Sequence, residues 1–332
     1  MISPLISIVI PLYNAERFLE KGLSGIFSQS YTNWEIVAVN DGSTDKTKEI
    51  FLEHTKDYAH KVKLIDQANV GGFAARNTGL DNVTGDYIAL FDIDDFWYPN
   101  HLQDCLDVLV NYPDIDWVYA SNKIIDLTQN SKVISEHNFY TKNKPKKFLK
   151  LKTEKRGESN LIIDKNALKY QLLYGLWLGQ QFSLAKRKVF ADYRFRANYR
   201  NEAADQISVI RALSCGYKLA YINKVHGEYA IHTSNVSAGC KDAPVEKYLR
   251  LRLALIRGFK EAEGELNLKP LEIRALNKRV ANEYFWNIGY NIYLKSKNKK
   301  MAYKYFKKGI FYQPLNFYYI KTFIFNYFRR DL

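Results

Sequence analysis

Three carboxylates within four residues are the sharpest chemical signal in the chain. Asp92, Asp94 and Asp95 follow the end of an apolar run. Carboxylates this close repel one another unless a cation or several hydrogen-bond donors compensate their charge. A divalent cation such as Mg²⁺ or Mn²⁺ is the natural partner, because both ions take oxygen ligands and complete their shell with phosphate oxygens and water. An acidic turn that caps the next helix is the competing interpretation, and the motif alone does not decide between them.

Polar residues follow three other apolar runs in the first 120 residues. Pro11 and Tyr13 follow the first run, Asp41 follows the second, and Asn69 and Arg76 follow the third. Ligands of open α/β sheets bind beyond the carboxyl ends of the strands. We therefore expect these residues to converge with the acidic motif on one edge of a sheet. A surface salt bridge is the alternative interpretation of the arginine.

The elements that would position these residues are apolar runs alternating with helical patterns. The runs are rich in β-branched and aromatic residues, as strands buried on both faces are, and they span Ile6–Pro11, Glu35–Asn40, Val62–Asp66, Tyr87–Asp92 and Trp117–Ser121. Helical patterns lie between them, from Phe18 to Phe27, from near Thr44, over Gly72–Asn82 and after Pro99. This alternation predicts βαβ units and an α/β fold, with a mostly parallel sheet flanked by helices.

The second half of the chain is less regular. Residues 128–160 are polar and rich in lysine, and they predict a loop or insertion with a solvated surface. Apolar segments return from about residue 161, with a helix over Asp205–Ser214 that Gly216 closes and a strand over Lys218–Asn223. From about residue 244 onward the pattern is mostly helical.

Composition limits the class of protein. The chain has 332 residues, of which 47% are apolar and 25% charged, so it can bury a large core and is not a disordered polyelectrolyte. Cys105, Cys215 and Cys240 cannot build a disulfide framework, which favours a reducing compartment. No apolar stretch reaches the ~18 residues that span a bilayer, and we find no secretory signal. We therefore expect a cytosolic globular protein.

Four segments together resemble glycosyltransferase family 2, the inverting nucleotide-sugar transferases with a GT-A fold. They occur in the family's order and spacing, and they are Ile6–Asn14, Val39–Asp45, Gly71–Gly79 and Asp92–Asp95. The resemblance covers residues 5–125 strongly and residues 160–240 more weakly. It implies a nucleotide-sugar-binding half over 1–125 and an acceptor-binding half over 126–240. The helical pattern and the composition add a basic, aromatic helical region over 241–332.

The resemblance also implies a nucleotide-sugar site. The residues that match it are Pro11, Tyr13, Asp41, Asn69, Arg76 and Asp92. Tyr13 would stack on the nucleobase and Asp41 would accept the uracil N3–H. Arg76 would donate to the diphosphate, for which a planar guanidinium is well suited, and Asp92 would contact the ribose.

For the metal and the reaction, the resemblance implies a smaller set. Asp94 would bind Mn²⁺ or Mg²⁺. His232 would reach the metal or the diphosphate, with a purely structural histidine as the alternative. Asp205 would be the general base, although a plain helix cap is the rival interpretation. On the acceptor side we place Trp177 and Glu202, with core burial of Trp177 as the alternative.

The expected reaction follows from this set. A hexose or N-acetylhexosamine would pass from a UDP-sugar to a saccharide with inversion, so that an α-linked donor gives a β-linked product. The acceptor would be lipid-linked, of the undecaprenyl diphosphate-GlcNAc type, in O-antigen, capsule or lipopolysaccharide biosynthesis. A catalytically silent nucleotide-sugar or glycan-binding protein is the alternative, because Ala204 and Ala230 stand where the family often carries an acid and an arginine.

The C-terminal region is basic and aromatic. Lys269–Leu332 contains 14 of the Lys and Arg residues against three acidic ones, and it holds 17 aromatic residues. Such a composition is typical of elements at a membrane interface, and we expect peripheral contact with the cytoplasmic face of the inner membrane. A helical bundle packed on the catalytic domain is a compatible alternative. Nucleic acid is not expected as a partner, because no nucleic-acid-binding motif is present.

Overall fold

The computed structural model describes residues 3–175, 180–191, 194–195, 204–235 and 245–328. The strands in these ranges are β1 (Ile6–Leu12), β2 (Trp34–Asp41), β3 (Val62–Gln67), β4 (Tyr87–Leu90), β5 (Phe96–Trp97), β6 (Trp117–Asp126), β7 (Lys132–Ser135), β8 (Tyr140–Thr141), β9 (Lys144–Pro145), β10 (Thr153–Arg156), β11 (Ser159–Ile162), β12 (Ser183–Lys186) and β13 (Leu219–Ile231). Apart from the β8–β9 hairpin, they form one sheet.

Helices cover both faces of this sheet and form the C-terminal region. They are α1 (Leu19–Phe27), α2 (Thr47–Thr55), α3 (Gly72–Leu80), α4 (His101–Asn111), α5 (Ala167–Tyr174), α6 (Lys188–Ala191), α7 (Ala204–Ser214), α8 (Val245–Glu265), α9 (Pro270–Asn282), α10 (Lys299–Tyr312) and α11 (Phe317–Phe328). A π-helical segment over Glu283–Leu294 continues α9.

The order of the strands brings several carboxyl ends to one edge. The sheet runs β10-β11-β13-β6-β12-β4-β1-β2-β3. Strands β4, β1, β2 and β3 are parallel, and β13 is parallel to β6. Strand β12 is antiparallel to both β4 and β6, so these two strands point the same way. The residues that follow β1, β2, β4 and β13 therefore lie at a common edge, as the α/β pattern predicts.

The sheet is buried on both faces because its central strands carry apolar side chains on both. In β1, Ile8 and Ile10 pack with α1 and α4 on one face. Val9 points to the other face, where it packs with Phe73 of α3. The nearly continuous apolar runs in the sequence have this physical origin.

Several predicted elements differ from the structure; the strand predicted over Trp117–Ser121, for example, continues to Asp126. The strand predicted over Tyr87–Asp92 ends at Leu90, because the chain turns there and Asp95 N–H donates to the Asp92 carbonyl at 2.9 Å. The strand predicted over Lys218–Asn223 continues to Ile231, along β6. Residues 128–160, predicted as a loop or insertion, contain the short strands β7 to β10, which are mostly exposed.

The C-terminal helices pack on the sheet domain through a separate apolar cluster. Leu172 of α5 and Ile210 of α7 pack there with Phe259 of α8 and Leu276 of α9. Farther along, Phe285, Phe306 and Tyr319 join the π-helical segment to α10 and α11. The predicted helical extension is confirmed, and so is its packing as a bundle. No helix in the described part of the chain is long and apolar enough to cross a bilayer.

Candidate active site

The acidic motif forms a tight turn between β4 and β5. One carboxylate oxygen from each of Asp92, Asp94 and Asp95 lies within 4.8 Å of the other two. Helix α1 packs directly against the turn, since a Cβ at Gly22 would overlap the carbonyl oxygen of Ile93. The sequence at this position therefore allows the helix to approach the backbone of the motif directly.

Asp95 is the buried member of the motif. Its side chain is 1% exposed, and Oδ1 accepts a hydrogen bond from Ala230 N–H of β13 at 3.1 Å. Oδ2 has no hydrogen-bond partner among the described residues. Burial, with Asp94 and Asp92 nearby, raises the pKa of the Asp95 carboxyl well above its ordinary value. Asp95 thus ties the motif to β13.

Asp94 contacts the segment that follows β13. Its Oδ2 lies 2.8 Å from His232 Nε2 and 3.3 Å from Asn235 Nδ2. On the other side of the imidazole, Ser234 Oγ lies 2.8 Å from His232 Nδ1 and accepts a hydrogen bond from Arg17 at 2.5 Å. A serine hydroxyl can donate to Nδ1 or accept from it. His232 can therefore offer Nε2 either as a donor to Asp94 or as a lone pair to an ion.

A second charged cluster lies beside the first. Arg76 is 7% exposed, and its Nη2 donates to Asp92 Oδ1 at 2.5 Å. Its Nη1 lies 3.9 Å from Asp205 Oδ1. Gln181 Nε2 donates to the other oxygen of Asp92 at 2.7 Å. Arg76 is therefore not the surface salt bridge that the sequence left open, but a buried cation between two carboxylates from different elements.

Asp205 has the electrostatics of a proton acceptor. It lies in the first turn of α7, and its side chain is 26% exposed. Burial raises the pKa of its carboxyl, Arg76 lowers it and Asp92 raises it again, with a result of about 6. The carboxylate is thus mostly ionised at neutral pH, yet is far more basic than an ordinary aspartate.

Asp41 accepts three hydrogen bonds in this structure. It is 1% exposed, and its carboxylate accepts from Gln67 Nε2 at 2.7 Å, Val70 N–H at 3.0 Å and Gly71 N–H at 2.8 Å. Gly71 has a φ of 102°, a backbone conformation that other residues rarely adopt. The carboxylate therefore orders the glycine-containing loop that precedes α3.

The other predicted nucleotide contacts lie around this loop. Tyr13 is exposed, Pro11 is partly buried and Asn69 is exposed. Asn69 lies against Gly42, whose φ is 67° and where a Cβ would lie 2.8 Å from Asn69 N. The structure thus brings the residues after β1, β2 and β3 into one region at the sheet edge.

The acidic motif fits a hard divalent cation. Asp92 and Asp94 are only partly buried, and together with Asp95 they present oxygen atoms to one point. The unpartnered Oδ2 of Asp95 shows that donors from the described protein do not fully compensate the cluster. Carboxylates on an accessible turn are the ligands that Mg²⁺ and Mn²⁺ take beside phosphate oxygens and water.

Comparison with known proteins identifies the family. The family model described as Glycosyl transferase family 2 matches residues 7–174, just over half of the chain. The chain belongs to glycosyltransferase family 2. Its match includes β1, the loop after β2, α3 and the acidic motif, whereas Asp205 and His232 lie beyond it.

Curated relatives within glycosyltransferase family 2 align over about a third of the chain. Glycosyltransferase GlyA of Streptococcus pneumoniae is 40% identical over 112 residues, which are 34% of this chain and 16% of that protein. An uncharacterized glycosyltransferase of Haemophilus influenzae is 44% identical over 108 residues, 32% of this chain and 43% of that protein. The chain thus spans less than half the length of these relatives.

Solved structures share the fold over most of the chain. Residues 1–349 of TarS from S. aureus, in complex with UDP-GlcNAc, align with a TM-score of 0.63 and 16% identity, covering 92% of this chain and 81% of that one. The mannosyltransferase PcManGT from Pyrobaculum calidifontis, in complex with GDP-Man and Mn²⁺, aligns with a TM-score of 0.57 and 16% identity, covering 92% and 75%. These neighbours confirm the predicted GT-A-type fold of this family 2 member.

The structure adds site residues that the sequence did not single out. Arg17 contacts His232, Gln181 donates to Asp92, and Asn235 donates to Asp94. A cavity of about 560 Å³ beside Asp94 is lined in part by Arg17 and Lys21 of the region around α1, and by His232. An arginine just before a helix was the only signal for Arg17 in the sequence, and it is not specific.

Two predicted acceptor residues, Trp177 and Glu202, lie outside the described residues. The two alanines that depart from the family pattern are both buried. Ala230 serves the site through its backbone, whose N–H donates to Asp95, and Ala204 is the first residue of α7, directly before Asp205.

Proposed function

We propose that this protein transfers a hexose or N-acetylhexosamine from a UDP-sugar to a saccharide acceptor, with inversion at the anomeric carbon. The observation that carries the proposal is the pairing of two clusters at one sheet edge. Asp94 with His232 forms one of them, and Arg76 with Asp92 and Asp205 forms the other. The first is suited to a cation on a diphosphate, and the second to proton acceptance next to it.

On the donor side, Asp94 and His232 would hold Mn²⁺ or Mg²⁺. Such an ion, when bound, supplies Lewis-acid stabilisation of the negative charge that grows on a departing diphosphate. Arg76 would donate to the same diphosphate, and Asp92 would turn from Arg76 toward the ribose. Because Arg76 is already buried and charged, it needs little solvent reorganisation at the moment of reaction.

On the acceptor side, Asp205 would take the proton of the attacking hydroxyl. The hydroxyl oxygen forms a bond to the anomeric carbon while the bond from that carbon to the diphosphate oxygen breaks, and UDP leaves. The proton passes to Asp205, whose pKa of about 6 suits this transfer near neutral pH. One displacement inverts the anomeric centre, so an α-linked donor gives a β-linked product.

The nucleobase would bind where Asp41 and Tyr13 lie. Tyr13 offers an exposed ring for stacking. Asp41 would accept the uracil N3–H on Oδ2, which accepts only one hydrogen bond from the described residues. Because Asp41 is 1% exposed, the loop that carries Val70 and Gly71 would move aside to admit the base. Asn69 lies next to them.

For the acceptor, we propose a lipid-linked saccharide at a membrane surface. Residues 1–125 would bind the nucleotide sugar, residues 126–240 the acceptor with Trp177 and Glu202, and residues 241–332 the membrane. The step would belong to O-antigen, capsule or lipopolysaccharide assembly at the cytoplasmic face of the inner membrane, with a diphosphate-linked GlcNAc as the acceptor type.

The outer face of α11 supports membrane contact. Phe317, Ile320, Ile324 and Phe328 recur at spacings of three and four residues, so they share one face, and all four are exposed. The opposite face packs inward through Tyr319, as the buried contacts of that residue show. Further exposed apolar residues lie close by along the chain, at Phe311, Leu315, Tyr318, Phe325 and Tyr327.

This face has the composition of an interfacial helix. An exposed surface of aromatic and aliphatic side chains is unfavourable in water. It is stabilised at headgroup depth, while the surrounding lysines of a region with a charge of +11 attract anionic lipid. At 12 residues, α11 is far too short to span a bilayer. It would lie in the plane of the surface.

A catalytically silent binding protein is the second candidate, favoured by Ala204 and Ala230. The test is release of UDP by the purified protein with Mn²⁺, a panel of UDP-sugars and a synthetic lipid-diphosphate GlcNAc acceptor. Transfer of one sugar, detected by mass spectrometry and lost in Asp94→Ala, would support the enzyme. UDP binding without release or transfer for any donor of the panel would support the silent protein.

A further inference from the structure

Two histidines and a cysteine meet in the interior, away from the acidic motif. His101 Nδ1 lies 3.2 Å from His226 Nδ1 and 3.8 Å from Cys105 Sγ. One ligand atom from each residue lies within 4.8 Å of the other two. All three side chains are buried. His101 and Cys105 are one turn apart on α4, and His226 belongs to β13, so the cluster joins a helix to the sheet.

We propose that His101, Cys105 and His226 bind zinc as three of its four tetrahedral ligands, with the fourth position left to water. Tetrahedral zinc, at about 2.0–2.1 Å from nitrogen and about 2.3 Å from sulfur, places neighbouring ligand atoms about 3.3 Å (N to N) and about 3.6 Å (S to N) apart. The observed 3.2 Å and 3.8 Å are close to these separations.

A protein-only hydrogen bond accounts for less of the geometry. In a neutral imidazole, Nδ1 carries either one proton or one lone pair. Nδ1 of His101 is approached by both His226 Nδ1 and Cys105 Sγ, so a single hydrogen bond engages only one of them. An ion between the three atoms would use all of them at once.

The protonation states suit a metal. Burial lowers the pKa of His101 well below its ordinary value and lowers that of His226 to about 4, so both rings are neutral at pH 7 and have a lone pair to give. Burial raises the pKa of the Cys105 thiol, so the free thiol is protonated. Binding of Zn²⁺ breaks the S–H bond, forms the S–Zn bond and releases one proton to solvent.

Asp104 supplies the remaining charge. Its Oδ2 lies 3.4 Å from His226 Nε2, the ring nitrogen that faces away from the cluster. The two atoms are not hydrogen-bonded to each other, since His226 Nε2 has no hydrogen-bond partner among the described residues. A carboxylate that accepts from the outer nitrogen of a ligating histidine would fix the tautomer that presents the other nitrogen to the metal. Zinc with one thiolate leaves one positive charge in a buried place, and the Asp104 carboxylate balances it.

The place of this cluster in the fold gives it a structural role. The segment between the acidic motif and α4 pairs antiparallel with β13 here. Tyr98 N–H donates to the His226 carbonyl at 2.8 Å, and Trp97 pairs with Gly227. Six residues beyond His226, the same strand delivers His232 to Asp94. Zinc would therefore fix β13 to the segment that carries the acidic motif. This inference does not depend on the donor or the acceptor.

The test is metal content together with the cobalt spectrum of the full chain. The protein is expressed without an immobilised-metal step, dialysed against EDTA to remove weakly held ions, and analysed by mass spectrometry. We expect about one zinc per chain. Replacement by Co²⁺ should give a thiolate-to-cobalt charge-transfer band in the near ultraviolet. Cys105→Ser should lose both signals, and the matched control Cys215→Ser, at an exposed cysteine, should keep both.

Several results would overturn the proposal. Wild-type protein that holds no zinc after loading under reducing conditions, and shows no cobalt band, would establish a hydrogen-bonded cluster instead. Stoichiometric copper in place of zinc would refute the choice of metal, and full zinc retention in Cys105→Ser would refute the ligand set. Because the wild-type spectrum is decisive by itself, a poorly folded variant would not spare the proposal.

Discussion

Arg76 lies 3.9 Å from Asp205, although 129 residues separate them in the chain, and it donates at the same time to Asp92. The guanidinium lowers the pKa of Asp205 against the opposing effects of burial and of Asp92. One buried cation thus connects the acidic motif with the proposed base. The protonation of Asp205 depends on it.

Arg76→Lys should lower turnover and also raise the pKa of the Asp205 carboxyl. A single ammonium cannot bridge Asp92 and Asp205 with the geometry of a guanidinium, so we expect turnover to fall on the order of 10²-fold. Asp205 loses part of the positive charge that lowers its pKa, so the acid limb of the pH–rate profile should move to higher pH. An unchanged limb would refute the electrostatic coupling.

Asp205→Asn should lower turnover and raise stability. The folded pKa of about 6 exceeds the ordinary value of 3.8, so the folded state binds more protons than the unfolded state between these pH values. Its stability therefore falls as pH rises through this window, by about 2–3 kcal/mol in total. Removing the carboxylate should restore this free energy above pH 6 and change little below pH 4.

Chemical denaturation of Asp205→Asn at pH 4 and pH 7.5 checks the stability, and titration with UDP checks binding. We expect turnover to fall about 10²- to 10⁴-fold with UDP affinity unchanged. Asp107→Asn, at an exposed aspartate of α4, is the control for loss of a charge. An Asp205→Asn variant that keeps full turnover would show that another group takes the proton.

Gly22→Ala should disturb the acidic motif from the α1 side. The added methyl group would overlap the Ile93 carbonyl, which the backbone can relieve only by moving. We expect a destabilisation of about 1–3 kcal/mol and a weaker response of activity to Mn²⁺. Gly264→Ala is the control, because its methyl group meets nothing within 4 Å and should stabilise α8 by up to about 1 kcal/mol. Equal behaviour of the two variants would contradict the proposed packing.

Replacing Phe317, Ile324 and Phe328 by Ser should abolish membrane binding and leave the fold intact, because all three side chains are exposed. Flotation with phosphatidylglycerol-containing vesicles measures it, and we expect binding to weaken as salt rises. Leu271→Ser, at an exposed leucine of α9, is the matched control. Wild-type protein that does not float with these vesicles would contradict the membrane proposal.

The sequence predicted the first half of the sheet because its strands are buried on both faces. Runs such as Ile6–Pro11 and Glu35–Asn40 are apolar for that reason, and turn residues bound them. Their direction, and hence the common edge of their carboxyl ends, followed from the alternation with helices. The C-terminal helices were predicted from periodicity in the same way.

The contacts between distant segments could not be predicted from the residues themselves. His232 lies 138 residues from Asp94, and nothing local distinguishes it from a core histidine. Arg17 donates a hydrogen bond to Ser234, which lies more than 200 residues away in the chain. The His101–Cys105 spacing of four residues is visible in the sequence, but it becomes a cluster only through β13. Tertiary packing decides such sites.

The central claim is that Asp94 lies where a divalent cation and a nucleoside diphosphate bind together. Calorimetric titration of UDP into wild-type protein and Asp94→Asn, each with and without Mn²⁺, tests it most directly. We expect Mn²⁺ to tighten UDP binding to the wild type by at least about tenfold, roughly 1.4 kcal/mol, and to have no effect on Asp94→Asn. The same UDP affinity in all four titrations would contradict the claim.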